Sequence, residues 1–162
     1  MRKRIISLII SLVLIFAMSF TTIYPAKAED AKSVEGSHLT EKEESNGNAI
    51  LKMRGIYLQT GDCSITSAGR GRIYIYGSTT ANYVVDMVVV GVYVEQYNEK
   101  TDEWDQVHFV SKEATNNYYV SLGQTLLVER GYYYRVRAAH SAGPKDSLRD
   151  TADSATDGIM IK

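Results

Sequence analysis

The residues of this chain that most often carry out chemistry are few: one cysteine, Cys63, and three histidines, His38, His108 and His140. A cysteine nucleophile requires a neighbouring base and a depressed pKa. Cys63 shares its strand face with Ile65, so we expect it to lie in the core as a small apolar residue. An intermolecular disulfide is the alternative. A zinc site built from His108, His140 and a carboxylate would require their strands to be neighbours.

Acidic residues crowd the last loop of the chain, and a hard cation such as calcium takes about six to eight oxygen ligands. The acids are Asp146, Asp150, Asp153 and Asp157. Their spacing matches no calcium loop, and Lys145 and Arg149 interrupt the negative charge. We interpret the segment as a solvated loop and predict no metal site.

Motifs that would indicate an enzyme are missing from the sequence. It has no G-x-S-x-G or H-E-x-x-H element, no Walker loop and no dinucleotide fingerprint. A pair of carboxylates for glycoside hydrolysis cannot be selected among 19 acidic residues without a fold. We therefore expect a protein that is not an enzyme, with no catalytic residue and no cofactor.

An excess of tyrosine is the one positive feature, with 12 Tyr against 3 Phe and one Trp. Strand alternation puts many of these rings opposite the expected core, with two arginines beside them. Faces rich in Tyr, Trp and Arg are typical of binding surfaces, because they supply rigid amphipathic contact area. The alternative is that Tyr simply fits a half-buried pleated surface. The binding residues predicted on this basis are Tyr74, Tyr76, Trp104, Tyr133, Arg135 and Arg137.

The elements that must position these residues begin after an N-terminal segment, residues 1–28, that has the three parts of a secretory signal peptide. Residues 2–4 (Arg-Lys-Arg) are basic, residues 5–20 are mainly apolar, and Ala26-Lys27-Ala28 gives a small-residue exit. The apolar run is shorter than the roughly 20 residues that a transmembrane helix needs. We expect cleavage after Ala28 and secretion, with or without association with the cell envelope; a retained membrane anchor is the alternative.

Removal of that segment lowers the formal net charge from −1 to −5, because it carries four cations and no anion. A mildly acidic protein is not expected to bind nucleic acid or an anionic membrane. Residues 29–53 have sparse apolar side chains and no sustained period, which predicts a flexible acidic linker. A short helix around residues 40–44 is the alternative.

From Arg54 onward, short β-branched and aromatic runs alternate with Gly, Asn, Asp and Ser. Turn signals at roughly 8–14 residue intervals predict a single all-β domain over residues 54–162, an antiparallel sandwich or barrel. The strand candidates are Gly55–Thr60, Cys63–Ser67, Arg72–Gly77, Tyr83–Tyr97, Trp104–Ser111, Tyr118–Val128, Gly131–Ser141 and Asp157–Ile161.

Alternation along these strands assigns the core face. It places Ile73 and Ile75 inside, and likewise Val107 and Phe109. In the strand Tyr118–Val128, the inward residues would be Tyr118, Val120, Leu122, Leu126 and Val128. Residues 84–94 are apolar on both faces, which predicts a central strand covered on both sides, and its length predicts a bulge at Gly91.

Residues 126–143 resemble the late strands of a fibronectin type III or immunoglobulin-like domain. In those folds a Leu lies six residues before a corner Tyr, and an alternating R-V-x-A strand and a Gly-containing loop follow. Leu126, Tyr132, Arg135-Val136-Arg137-Ala138 and Gly143 match that pattern. The resemblance implies an immunoglobulin-like β-sandwich of about seven or eight strands, in which the Tyr132 hydroxyl bonds back to the chain.

The wider pattern resembles a family of small, uncharacterised secreted proteins of Gram-positive bacteria, known as a domain of unknown function. The matching pieces are Arg54-Gly55-x-Tyr57-Leu58, Cys63-Ser64-Ile65, Ala68-Gly69-Arg70-Gly71, Gly77-Ser78-Thr79-Thr80-Ala81 and Gly131-Tyr132-Tyr133-Tyr134-Arg135-Val136. The resemblance implies export and carries no site residue.

Together these features predict a secreted, non-catalytic binding module that acts at or outside the cell envelope. Its partner would be a protein, as yet unknown. A carbohydrate-binding module that uses the aromatic face on a cell-wall polysaccharide is one alternative. A small secreted enzyme or enzyme inhibitor is the other.

Overall fold

Nine β-strands account for the regular structure of the residues that this computed structural model describes, which are 32–49, 55–147 and 149–162. These residues contain no helix, and hence none long and apolar enough to cross a membrane. The predicted signal peptide lies outside them. The strands are β1 (Ser33–Val34), β2 (Ser37–Thr40), β3 (Glu44–Asn48), β4 (Leu58–Gly69), β5 (Arg72–Asn98), β6 (Glu103–Leu127), β7 (Tyr132–Gly143), β8 (Asp150–Ala155) and β9 (Gly158–Ile161).

The 27-residue strand β5 organises the sheet. Its first half pairs with β4, its second half pairs with β7, and β6 pairs with it along nearly its whole length. A register shift between Thr80 and Val85 separates the two halves. The path continues from β7 through β9 to β2, and because β2 and β9 are parallel, the sheet is mixed.

The predicted all-β class is confirmed, but the architecture differs from the predicted antiparallel immunoglobulin-like sandwich. The sheet is mixed and curls into a half-barrel. The physical reason lies in residues that the sequence suggests are turns. A Cβ at Gly77, for example, would meet the Val92 side chain, so this glycine allows close packing inside β5 instead of ending a strand. Several predicted strands therefore merge into β4, β5 and β6.

The core confirms part of the predicted face assignment. Ile73, Ile75 and Cys63 are buried, and Cys63 is a free thiol. Burial raises the pKa of the Cys63 thiol to about 11. In the second half of β6, Val120 is buried, but Tyr118 is 56% exposed.

Two other predictions about this region are wrong. Val107 and Phe109 are about half exposed, because Phe109 pairs with the outward-facing Tyr93, whereas His108 pairs with the buried Val94. The register shift in the β5–β6 pairing falls after Val94 and not at Gly91. The Phe109 ring lies over Gly91, which explains the glycine there.

The predicted linker, residues 29–53, also requires correction. Over residues 33–48 the chain forms β1, β2 and β3. Strand β3 is polar in sequence but pairs with β4 over five residues, and β2 pairs with β9. Backbone hydrogen bonds and close packing of Gly47 against Ala155 hold a segment that side-chain hydrophobicity alone would not order.

The corner tyrosine is Tyr134, two residues after the predicted Tyr132. Tyr134 is 2% exposed and its hydroxyl donates a 3.0 Å hydrogen bond to the Glu129 carbonyl oxygen. Tyr132 is on the same face but 43% exposed, because it lies at the first position of β7. The expected chemistry is therefore present at a neighbouring position.

Candidate functional site

The structure divides the six predicted binding residues into two groups. Tyr74 and Tyr76 alternate with the buried Ile73 and Ile75, so they lie on the outer face of the first half of β5. The other four residues lie on the second half of the sheet, on β6 and β7: Trp104, Tyr133, Arg135 and Arg137.

In the second group, Trp104 and Arg135 are buried and do not form an exposed binding face. The Trp104 Nε1 group donates a 3.1 Å hydrogen bond to the Val34 carbonyl of β1. The Arg135 guanidinium lies 4.5 Å from the centre of the Trp104 ring. Strand β1, in the segment predicted to be a linker, therefore covers these side chains.

An ion-pair network fixes the same face. Arg135 Nε lies 2.7 Å from Glu95 Oε2, and Arg137 Nε lies 3.1 Å from Glu95 Oε1. The second Arg135 amino group lies 2.8 Å from the Glu35 carboxylate. Tyr133 is half-buried and donates its hydroxyl to Glu41 at 2.9 Å. The Glu95 contacts link β5 to β7, and the contacts of Glu35 and Glu41 attach the segment around β1 and β2 to the sheet.

The first group is accessible. Tyr74 is 42% exposed, and its ring lies over Gly123, which has no side chain to obstruct it. The Tyr76 and Tyr119 hydroxyls are 2.8 Å apart. That hydrogen bond raises the pKa of Tyr76, whereas the pKa of Tyr119 is lowered mainly by its hydrogen bond with Ser121. We call Tyr74, Tyr76 and Tyr119 the tyrosine patch.

A feature that the sequence interpretation missed is the outer edge of β6. This strand has 25 residues and β5 is its only pairing partner among the described strands. Five of the ten exposed large hydrophobic side chains of the described residues lie on it: Val107, Phe109, Tyr118, Tyr119 and Leu127. The sequence does predict two long strands in this region, which β6 joins into one. The length of a strand, however, does not indicate whether it lies at the edge of the sheet.

A groove of about 300 Å³ lies between the two ends of β6. Its apolar lining comes from β5, β6 and β7 and from the residue that follows β6: Val94, Val107, Leu126, Leu127, Val128 and Tyr134. His108 also lines it, and its Nε2 atom is buried without a hydrogen-bond partner among the described residues. We call this cavity the edge groove.

A second, more polar cavity of about 460 Å³ adjoins the edge groove, since Gln96 and Glu129 line both. Three carboxylates line this second cavity, from Glu99, Asp105 and Glu129, against one ammonium, from Lys100. We call it the acidic end. A mainly apolar groove therefore lies next to a cavity whose lining residues carry a net negative charge.

The metal candidates do not come together. His108 and His140 lie on β6 and β7, which are separated by β5. His140 is buried, and its ring nitrogens lie within 2.9 Å of the Thr79 and Ser154 hydroxyls. Among the acidic residues near the C-terminal end, Asp150 accepts hydrogen bonds from the backbone N–H groups of Tyr57 and Leu58. No cluster of three or more potential ligands occurs in the described part of the chain.

Comparison with known proteins places the chain in a family. Residues 26–158 match the model of the "Family of unknown function (DUF6147)". The chain belongs to this family. No curated protein and no solved structure matches it. Membership in DUF6147 agrees with the expectation of an uncharacterised domain and assigns no activity to any residue.

Proposed function

We propose that this DUF6147 protein is an exported, non-catalytic binding module that recognises an extended polypeptide by adding it as a strand to the outer edge of β6. The observation that carries the proposal is that edge: β6 is 25 residues long and, among the described strands, is paired on one side only. The exposed hydrophobic side chains on β6 support the same conclusion.

Edge strands of monomeric proteins are usually protected, because their free N–H and C=O groups can pair with another chain. Common protections are short length, proline, or lysine along the edge. Strand β6 contains no proline and a single lysine, Lys112. In peptide-binding domains, such an edge supplies backbone hydrogen bonds for affinity while side-chain pockets supply specificity.

The remaining reactive groups favour binding over catalysis. The raised pKa of Cys63 keeps its thiol protonated, and the thiolate is the nucleophilic form. His140 is enclosed in the core with both ring nitrogens facing hydroxyls. Export is supported by the basic, apolar and small-residue order of residues 1–28.

The test is to select binders from a library of random decapeptides on the immobilised full chain. Amide hydrogen exchange is then measured by NMR with and without an enriched peptide. In the free protein we expect alternate amides of β6 to exchange fast, because only one edge is paired. Strand addition predicts that the bound peptide slows the hydrogen exchange of these fast-exchanging amides. Protection elsewhere, or no enrichment, would refute the proposal.

Carbohydrate binding is a second candidate, which the tyrosine patch favours. Its three rings lie together on the outer face, with hydroxyl groups that can bond to a sugar. If this candidate is correct, cell-wall polysaccharide added to the same NMR sample should shift the signals of Tyr74, Tyr76 and Tyr119. Replacement of Tyr74 by Ser should then abolish the response, while Tyr132→Ser serves as a matched control.

A further inference from the structure

We infer that the ligand strand carries a large apolar side chain followed, on the same face, by a lysine or arginine. This inference rests on the proposed strand addition at β6 and specifies its ligand. The apolar side chain would enter the edge groove and the basic one would reach the acidic end. The juxtaposition of these two cavities beside one free strand edge carries the inference.

The direction of the side chains follows from the sheet. Val94 and His108 are paired, and Val94 is fully buried, so His108 is on the inner face of the half-barrel. A strand added beside Val107 and His108 would direct alternate side chains to that same inner face. There they would meet Leu126 and Val128, which also line the edge groove.

The size and lining of the edge groove favour a large apolar side chain. Its volume of about 300 Å³ is enough for one Leu, Phe or Tyr side chain, and its walls are mainly aliphatic. Leu127 at its margin is 80% exposed in the free protein. Burial of such a side chain and of Leu127 would remove apolar surface from water, which stabilises the complex.

The polar atom in the groove is consistent with a peptide ligand. A buried nitrogen without a hydrogen-bond partner is destabilising, and no described residue bonds to the His108 Nε2 atom. Nε2 donates or accepts according to its tautomer. The hydroxyl group of a ligand Tyr side chain in the edge groove both donates and accepts hydrogen bonds, so it can satisfy either form.

Charge selects the second ligand residue. The acidic end carries Glu99, Asp105 and Glu129 against Lys100, so its net charge is negative. Asp105 also accepts a hydrogen bond from the Asn98 amide, which holds one carboxylate in place. Complementary charge increases both specificity and the rate of encounter. A ligand with Glu at this position would instead be repelled.

The test uses the full chain and three synthetic decapeptides of alternating Thr and Val. The first carries Leu at position 5 and Lys at position 7, the second replaces that Lys by Glu, and the third replaces that Leu by Ser. Binding is measured by fluorescence anisotropy, and the site is mapped by amide exchange of β6. We expect the Glu peptide to bind roughly fivefold more weakly and the Ser peptide about tenfold more weakly.

A charge exchange makes the test specific to the acidic end. In the variant Glu129→Lys, the preference between the Lys and Glu peptides should shrink or reverse. The Glu129 side chain is exposed, so we expect the variant to fold normally. The matched control is Glu44→Lys on β3, because Glu44 is exposed and no residue of β3 lines either cavity. It should leave the preference unchanged.

The outcomes separate the inference from the function on which it rests. If all three peptides protect β6 amides with equal affinity, the ligand assignment is overturned and strand addition stands. If Glu129→Lys and Glu44→Lys have the same effect, the acidic end is not the selective site and the inference is again wrong. If no peptide protects β6 amides, and the library yields no binder, both proposals are refuted.

Discussion

Replacement of Glu95 by Gln tests whether the Glu95 carboxylate compensates the buried charge of Arg135. The Glu95 side chain is 7% exposed and that of Arg135 is 4% exposed. Gln retains one carbonyl oxygen for Arg135 Nε–H but directs an amide donor toward Arg137 Nε–H. Within the described part of the chain, Arg135 would then have only Glu35 as a counter-charge, and the Glu35 side chain is 57% exposed.

Removal of one partner from a buried ion pair typically costs about 3–5 kcal/mol. One hydrogen bond survives in Glu95→Gln, so we expect the free energy of unfolding to fall by about 3 kcal/mol. For a chain of this size that corresponds to a decrease of roughly 6–12 °C in Tm. Urea denaturation followed by tryptophan fluorescence is a suitable assay, because Trp104 lies against Arg135 and is the only tryptophan.

Two controls determine how the result is read. Glu35→Gln removes an exposed partner of the same arginine and should cost only about 0–1 kcal/mol. The double replacement Glu95→Leu with Arg135→Met removes both charges and should recover much of the loss. A decrease below about 1 kcal/mol for Glu95→Gln, equal to that of Glu35→Gln, would refute the view that Glu95 supports a buried charge.

Three further outcomes are expected. Tyr134→Phe should lower the free energy of unfolding by about 1 kcal/mol through its lost hydrogen bond to Glu129, whereas Tyr132→Phe should be nearly neutral in the same urea titration. Burial lowers the pKa of His140 in the folded protein. The unfolded state therefore binds more protons at a pH between the folded and unfolded pKa values of this histidine, and the free energy of unfolding should decrease as the pH falls below about 6.5. His140→Gln should flatten that pH dependence. The Cys63 thiol, with its pKa near 11, should resist iodoacetamide at pH 8 and react only in denaturant, as mass spectrometry would show.

Local sequence pattern predicts those parts of the fold in which alternation and burial coincide. Ile73, Ile75 and Cys63 lie inside as expected, because a regular strand keeps the same face over several residues. The pattern fails at Val107 and Phe109, since the register of β6 is set by β5 and shifts after Val94. Long-range pairing, which no local window contains, decides which face is buried.

The candidate site was less predictable than the fold. Trp104 and Arg135 are residue types that are common in binding faces. Both are contacted by a segment whose sequence looks like a linker: Trp104 by Val34 and Arg135 by Glu35. The edge groove depends on the juxtaposition of both ends of β6, which are about twenty residues apart in sequence. No property of Val107 or Leu126 alone indicates that they line the same cavity.

The parallel pairing of β2 with β9 has a consequence for the order of folding. Leu39 pairs with Gly158, so a strand made early must wait for one of the last strands made. A Cβ at Gly158 would meet the Trp104 ring, which shows that β9 also packs on that side chain. The β5–β6 hairpin can form as soon as its own residues are available, whereas contacts this distant in sequence form slowly. A nascent chain therefore keeps Trp104 incompletely covered until residues 158–161 arrive, and loss of those few residues would remove the strand with which β2 pairs.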